Sequence, residues 1–151
     1  MGLMGGVADA VIAAGGHVTG VIPDALVAKE VAHKGLSELR VVASMHARKA
    51  LMVDLADGFI AMPGGWGTLE EFFEVLTWGQ LGLHQKPCGL LNVRGFFDGL
   101  LSFIDHGIDE CFVRRENRSM VLVSRSPSAL LDLFDEYVPI TVEKWIDAAS
   151  T

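Results

Sequence analysis

The residues best placed to do chemistry in this chain are Pro63-Gly64-Gly65-Trp66-Gly67-Thr68-Leu69-Glu70-Glu71. The stretch follows an apolar run, Gly58–Met62, that reads as a short buried strand. It precedes apolar residues at helical spacing: Leu69, Phe72, Phe73 and Leu76. A strand, a glycine turn and a helix start together make an anion site. Glycines let a ligand approach the backbone closely. The first-turn N–H groups of a helix point into the turn, and the helix dipole favours negative charge there. A phosphate is the natural guest. The same residues also admit a purely structural reading, because Thr68 and Glu71 are spaced as a capping box that any helix can use. Three glycines in four positions directly after a strand favour the site. The pattern is neither G-x-G-x-x-G nor a P-loop, which would end in G-K-[ST].

A second stretch, Met45-His46-Ala47-Arg48-Lys49-Ala50-Leu51-Met52, sets two cations beside methionines. Met45 and Lys49 share a helical face, as do Arg48 and Met52. Two readings stand. The stems can snorkel over apolar surface with their charges in water, or the cations can serve a phosphate or carboxylate. On the helix after Thr68, Glu71 and Trp78 point away from the Leu69/Phe72/Phe73/Leu76 stripe, flanked by Glu74 and Val75. That face suits either a cleft wall or a solvated acidic surface. Thr77 and Glu30 also fit a cleft wall, though spacing alone does not single them out.

The elements that must position these groups alternate along the chain. Helical composition over Leu3–Ala14 stops at Gly15-Gly16, and strands are expected at His17–Ile22 and Leu39–Val42. Ser44 caps a helix from Met45 to about Ala56. Further strands are expected at Gly58–Met62, Cys88–Val93 and Val121–Val123. Further helices are expected from Thr68 to about Leu81, from about Phe96 to Glu110, after Ser126-Pro127, and over Val142–Ala149. Alternation with β-rich, non-alternating strands predicts an α/β fold, a parallel sheet with helices on both faces. Ligands of such sheets bind at the carboxyl ends of the strands. The Pro63–Glu71 loop and the Pro23–Glu30 segment occupy two of those ends.

At 151 residues the chain is expected to form a single domain, residues 1–151. Half its residues are hydrophobic and the mean hydropathy is +0.38, yet no run reaches the roughly 18 apolar residues of a membrane span. The surplus apolar surface is expected to meet a second copy, giving a homodimer. A net charge of −7 argues against non-specific nucleic-acid binding. Two cysteines, Cys88 and Cys111, make neither a disulfide framework nor a zinc ribbon. The five histidines show no metal-ligand spacing, and no signal peptide is recognisable. A reducing, cytoplasmic setting without a cofactor is the expectation.

The two stretches taken together, M-H-x-R-K-x-x-M and P-G-G-x-G-T-x-E-E, resemble the Lonely Guy family, cytokinin riboside 5'-monophosphate phosphoribohydrolases once labelled lysine decarboxylases. The resemblance runs from Gly2 to about Phe112. It takes in Gly20–Pro23, Thr77–Gly82 and Lys86–Asn92. It implies a dimeric Rossmann-like fold that hydrolyses the N-glycosidic bond of a nucleoside 5'-monophosphate. The products are a base, such as an N6-prenylated adenine, and ribose 5-phosphate. By the resemblance, Arg48 and Glu71 are catalytic, and Glu30, Lys49, Gly65, Trp66, Gly67, Thr68, Leu69, Glu70 and Thr77 contact the nucleotide. Gly64, Gly65, Gly67 and Thr68 would hold the 5'-phosphate. The chemistry fits: a carboxylate at Glu71 can stabilise the ribose cation and take a proton from water. Arg48 can keep it ionised or hydrogen-bond the base or phosphate. Relative to the family, the first strand–helix–strand is missing, and Met1–Gly5 matches the end of a glycine run. Three rivals differ in class. A pyridoxal decarboxylase would use a lysine such as Lys34, a molybdenum-cofactor carrier would bind without hydrolysis, and a nucleosidase would prefer AMP.

Overall fold

The computed structural model describes residues 2–27 and 35–140. Glu30, the His33-Lys34 pair and the helix expected over Val142–Ala149 lie outside the described residues. The chain divides into two compact units, Met1–Ala56 and Asp57–Thr151. Both are built of parallel strands flanked by helices, the α/β architecture expected from the alternation.

In the first unit, helix α1 (Leu3–Ala13) ends where the glycines were expected to stop it. Gly15 adopts φ 77, its N–H donates to Ile12 O, and Gly16 N–H donates to Val11 O. This paired closure needs a left-handed residue, which glycine supplies without steric cost. Strand β1 (Thr19–Pro23) pairs in parallel with β2 (Glu38–Val42), in register from Thr19 opposite Glu38 to Pro23 opposite Val42. The strand expected over His17–Ile22 takes in Pro23 as its last residue, and a four-residue turn of helix, α2 (Asp24–Val27), follows. Helix α3 (Met45–Leu55) packs on both strands and is capped by Ser44, whose Oγ accepts from Ala47 N at 3.1 Å.

The second unit has a three-stranded parallel sheet in the order β3 (Phe59–Ala61), β4 (Cys88–Leu91), β5 (Val121–Ser124). Helix α4 (Trp66–Gln80) packs on β3 and β4, and α7 (Pro127–Asp135) on β4 and β5. The core gathers around Leu90, Phe97 and Leu130, each almost wholly buried. A Cβ on Gly89 would lie 2.7 Å from the Phe134 ring and 2.9 Å from Leu130, so α7 can lie this close only over a glycine. Ser126 caps α7 with Pro127 in its first turn, as the sequence predicts. Between β4 and β5 lie α5 (Asp98–Asp109) and the single turn α6 (Arg115–Arg118), which pack together.

Three differences from expectation stand out in this unit. Helix α4 starts at Trp66, two residues before Thr68, with Gly65 as its N-cap and no side-chain capping bond. The Thr68–Glu71 capping box is therefore not formed, because Thr68 already lies inside the first turn. Val75, expected on the outer face of α4, is buried with Phe72, so the buried stripe is centred between those two positions. The strand expected over Cys88–Val93 stops at Leu91, and Val93–Gly95 form a tight 3-10 turn instead.

Candidate functional site

The sequence-predicted site residues fall in both units, Arg48 and Lys49 in the first and Gly64 through Thr77 in the second. In the first, Arg48 and Lys49 occupy the first turns of α3 and are half-buried. The flanking methionines are more open, Met45 at 42% and Met52 at 38% exposure. Arg48 Nη1 donates to Met45 Sδ at 3.6 Å, so its stem and head run along the methionine face as the i, i+3 spacing allows.

In the second unit, the glycine turn lies at the carboxyl end of β3, where ligands of parallel sheets bind. The first N–H to bond within α4 is that of Leu69, which donates to Gly65 O at 3.2 Å. A helix of this geometry leaves the N–H groups of Trp66, Gly67 and Thr68 without intrahelical acceptors. The N-cap glycine cannot supply a side-chain oxygen, and the first turn holds no acidic residue. Both facts leave the positive end of the helix dipole uncancelled by its own neighbours.

The three glycines differ in what surrounds them. A Cβ on Gly64 would collide with the Thr68 side chain. Gly64 is thus required by the protein's own packing. A Cβ on Gly65 or Gly67 would meet nothing within 4 Å. Neither residue has a positive φ, so neither packing nor backbone demands glycine there. Space beside uncapped N–H groups is what their small size secures. Trp66, between them, is 89% exposed.

Beyond this turn, α4 carries Leu69, Glu71, Glu74 and Trp78 half-buried and Glu70 exposed. Thr77 is exposed, and its hydroxyl donates back to Phe73 O at 2.7 Å. At a rise of about 1.5 Å per residue, Thr77 lies about 14 Å along the helix axis from Thr68. The turn therefore brings Gly64 through Thr68 together and leaves Thr77 well down the helix. At that far end His84 has fixed roles: Nδ1 accepts from Lys86 N–H at 3.1 Å, so Nε2 carries the proton and donates to Val75 O at 2.8 Å.

The sequence reading passed over Asn92, at the end of β4. It is 4% exposed, yet its Oδ1 accepts from Phe97 N–H and its Nδ2 donates to Asp98 Oδ1, both at 2.7 Å. An asparagine directly after a buried strand, three residues before Gly95, was the available signal. Elsewhere in this unit an open cavity of about 530 Å³ lies among α5, α6 and β5, lined by Asp105, Ile108, Arg115, Arg118, Val121 and Val123. Arg118 is tied there to Asp105 at 2.7 Å, and no sequence-predicted site residue lines it. Burial pushes the Cys88 thiol up to about 12, which makes it unreactive at neutral pH. Among the described residues no cluster of His, Cys, Asp and Glu is placed to hold a metal, and no helix is long and apolar enough to cross a membrane.

The family described as "Possible lysine decarboxylase" matches residues 4–134. The cytokinin riboside 5'-monophosphate phosphoribohydrolase LOG2 of Arabidopsis thaliana is 50% identical over 139 residues, 92% of this chain and 65% of that protein. The cytokinin riboside 5'-monophosphate phosphoribohydrolase LOG of Oryza sativa subsp. japonica is 50% identical over 139 residues, covering 92% of this chain and 57% of its own length. The probable enzyme LOGL9 of the same organism is 49% identical over 140 residues, 93% of this chain and 62% of its own. The chain thus spans less than two thirds of the length of these relatives. Matched over residues 4–134, the chain belongs to the family described as possible lysine decarboxylases, the Lonely Guy family.

Proposed function

We propose that this chain acts as a phosphoribohydrolase, cleaving the N-glycosidic bond of a nucleoside 5'-monophosphate to free base and ribose 5-phosphate. The substrate is an N6-prenylated AMP, AMP itself, or both. The observation that carries this reading is the uncapped start of α4, with open space over Gly65 and Gly67 beside N–H groups that lack intrahelical acceptors. A phosphate monoester fits that site by charge and by hydrogen bonding. The relatives are named for the matching reaction on cytokinin riboside 5'-monophosphates.

Breaking the bond builds positive charge on the ribose. Glu71 stabilises that charge and takes a proton from the attacking water. Arg48 hydrogen-bonds the departing base or the phosphate, as a planar guanidinium does bidentately. Gly64, Gly65, Gly67 and Thr68 hold the 5'-phosphate, and Trp66, Leu69 and Glu70 border it. Lys49, Thr77 and Glu30 complete the nucleotide contacts. The enzyme works as a cytoplasmic homodimer that binds no nucleic acid.

The test is chromatography of the purified protein incubated separately with AMP and isopentenyl-AMP. Free base from either supports the reading, and the ratio of rates ranks the two substrates. No base from either substrate, with the nucleotides still bound, would overturn hydrolysis and leave a binding protein.

A further inference from the structure

Helix α4 is tied down at its far end by a histidine that the chain folds back to place. The helix closes at Gly82, which adopts φ 75: Gly82 N–H donates to Gly79 O at 3.0 Å and Leu83 N–H to Trp78 O at 2.9 Å. This closure reverses the chain, and a left-handed glycine makes it without steric cost. His84 therefore lies back against the helix the chain has just left. Its Nε2 donates to Val75 O at 2.8 Å, and its Nδ1 accepts from Lys86 N–H at 3.1 Å. The ring also meets Phe59 of β3, with centroids 5.3 Å apart, and Gly79, where a Cβ would stand 3.1 Å from it. A side chain at position 79 would press on the ring.

The bond to Val75 does more than close a loop. A helical carbonyl already accepts from the N–H four residues on, here that of Gly79, and its second lone pair takes the His84 proton. One backbone point of α4 is thereby fixed against the segment that enters β4, and with it the roll of the helix about its axis. The observed roll buries Phe72 and Val75. Glu71, half-buried, lies one turn before Val75 on the same side of the helix, about 6 Å along the axis. Side chains reach roughly 5–6 Å from a helix axis, so a roll of about 10° moves the Glu71 carboxylate by about 1 Å. Backbone N–H groups lie nearer the axis and move less.

We infer that His84 is a positioning residue for the Glu71 carboxylate. Its bond to Val75 O sets the roll of α4, and so sets where the carboxylate meets the ribose. The Lys86 N–H keeps the ring in the tautomer that donates from Nε2. The inference rests on the hydrolase reading, in which Glu71 acts on the ribose and the attacking water. A misplacement of about 1 Å can cost about 100-fold in rate. The 5'-phosphate, by contrast, is held by backbone groups at the first turn, about 14 Å along the axis from Val75, so binding is spared where turnover is not.

Steady-state hydrolysis of AMP and isopentenyl-AMP by the full chain tests it, using wild type, His84→Gln, His84→Asn and His84→Ala, with urea unfolding run on each. Glutamine carries an amide N–H where imidazole carries Nε2, and keeps the bond to Val75 O. Asparagine carries an amide oxygen where imidazole carries Nδ1, and keeps only the bond to Lys86 N–H. Each loses one neutral hydrogen bond, so their stabilities fall alike. In the Asn and Ala variants kcat falls about ten-fold or more with KM little changed, and in the Gln variant kcat stays near wild type. A Gln variant as slow as the Asn variant, or an Asn variant as fast as wild type, would mark His84 as merely structural and overturn the inference while the hydrolase reading stands. A loss confined to KM would overturn it as well. If wild type releases base from neither nucleotide, the hydrolase reading falls and the inference with it.

Discussion

The glycine turn yields a prediction that separates folding from binding within one motif. A methyl on Gly64 would overlap Thr68 Oγ1 and stand 2.8 Å from its Cβ and 3.2 Å from its Cγ2. Rotating the threonine cannot move its Cβ, so the helix start itself must shift. Overpacking of this kind costs about 1–3 kcal/mol. A methyl on Gly67 meets nothing within 4 Å, and alanine is favoured over glycine in a helix by up to about 1 kcal/mol. Gly64→Ala should therefore destabilise the free protein, and Gly67→Ala should leave it as stable or stabilise it. Binding should respond differently. The Gly67 methyl enters the space beside the N–H groups, and losing one charge-assisted bond to phosphate costs about 1.5–3 kcal/mol. Urea unfolding with and without AMP reads both effects. At AMP about 100-fold above its Kd the wild type gains about 2.7 kcal/mol, and a variant weakened about 100-fold gains about 0.4 kcal/mol at the same concentration. A Gly67→Ala protein that gains as much from AMP as wild type would refute the placement of phosphate at this turn. A Gly64→Ala protein with unchanged stability would refute the packing argument.

Four further outcomes are expected. Arg48→Ala and Glu71→Ala each abolish release of base while the circular dichroism of the fold is retained, and wild-type-like release by either removes that residue from the mechanism. Cys111, exposed, reacts with a thiol reagent at neutral pH while Cys88 does not until the protein unfolds. The folded Cys88 thiol keeps its proton up to about 12 against an ordinary value of 9.0. Stability from this source is complete below about pH 9 and falls by up to about 1.4 kcal/mol per pH unit above it. Urea midpoints that stay level from pH 8 to 11 would contradict this. Asn92→Ala leaves the Phe97 N–H without its acceptor and Asp98 without its donor, so it should cost about 2–4 kcal/mol in denaturant unfolding; a loss below about 1 kcal/mol would mean that water replaces both bonds.

Much of this fold was legible because its signals are local. Ser44 and Ser126 each precede a helical run and cap it through their own hydroxyls, and Pro127 sits where a missing N–H costs nothing. The Gly15-Gly16 stop needed only the left-handed preference of glycine. The misreadings came where tertiary contacts decide. Thr68 and Glu71 have capping-box spacing, but the close fit of Thr68 against Gly64 belongs to a helix that has already begun at Trp66. Val75 looked peripheral on a helical wheel anchored at Leu69, yet the helix is rolled so that Phe72 and Val75 face inward. The 3-10 turn at Val93–Gly95 replaced a strand continuation because Asn92 takes the Phe97 N–H, a partner five residues away that no spacing rule announces. Register was also beyond the sequence.

The site residues illustrate the same division. A motif of alternating glycines does not say which glycines serve the protein and which serve a guest. Gly64 answers to Thr68, whereas Gly65 and Gly67 answer to nothing in the chain itself. That distinction matters in an acidic protein. A lysine recruited to hold a phosphate beside Glu70 and Glu71 would be drawn into ion pairs with them. Main-chain N–H groups at a helix start have no such freedom, because their direction is set by the fold and their partial charge persists whatever carboxylates lie behind them. On the proposed reading, an anion site of backbone donors is therefore the arrangement by which a chain of net charge −7 would keep a catalytic carboxylate on the same helix as a bound phosphate.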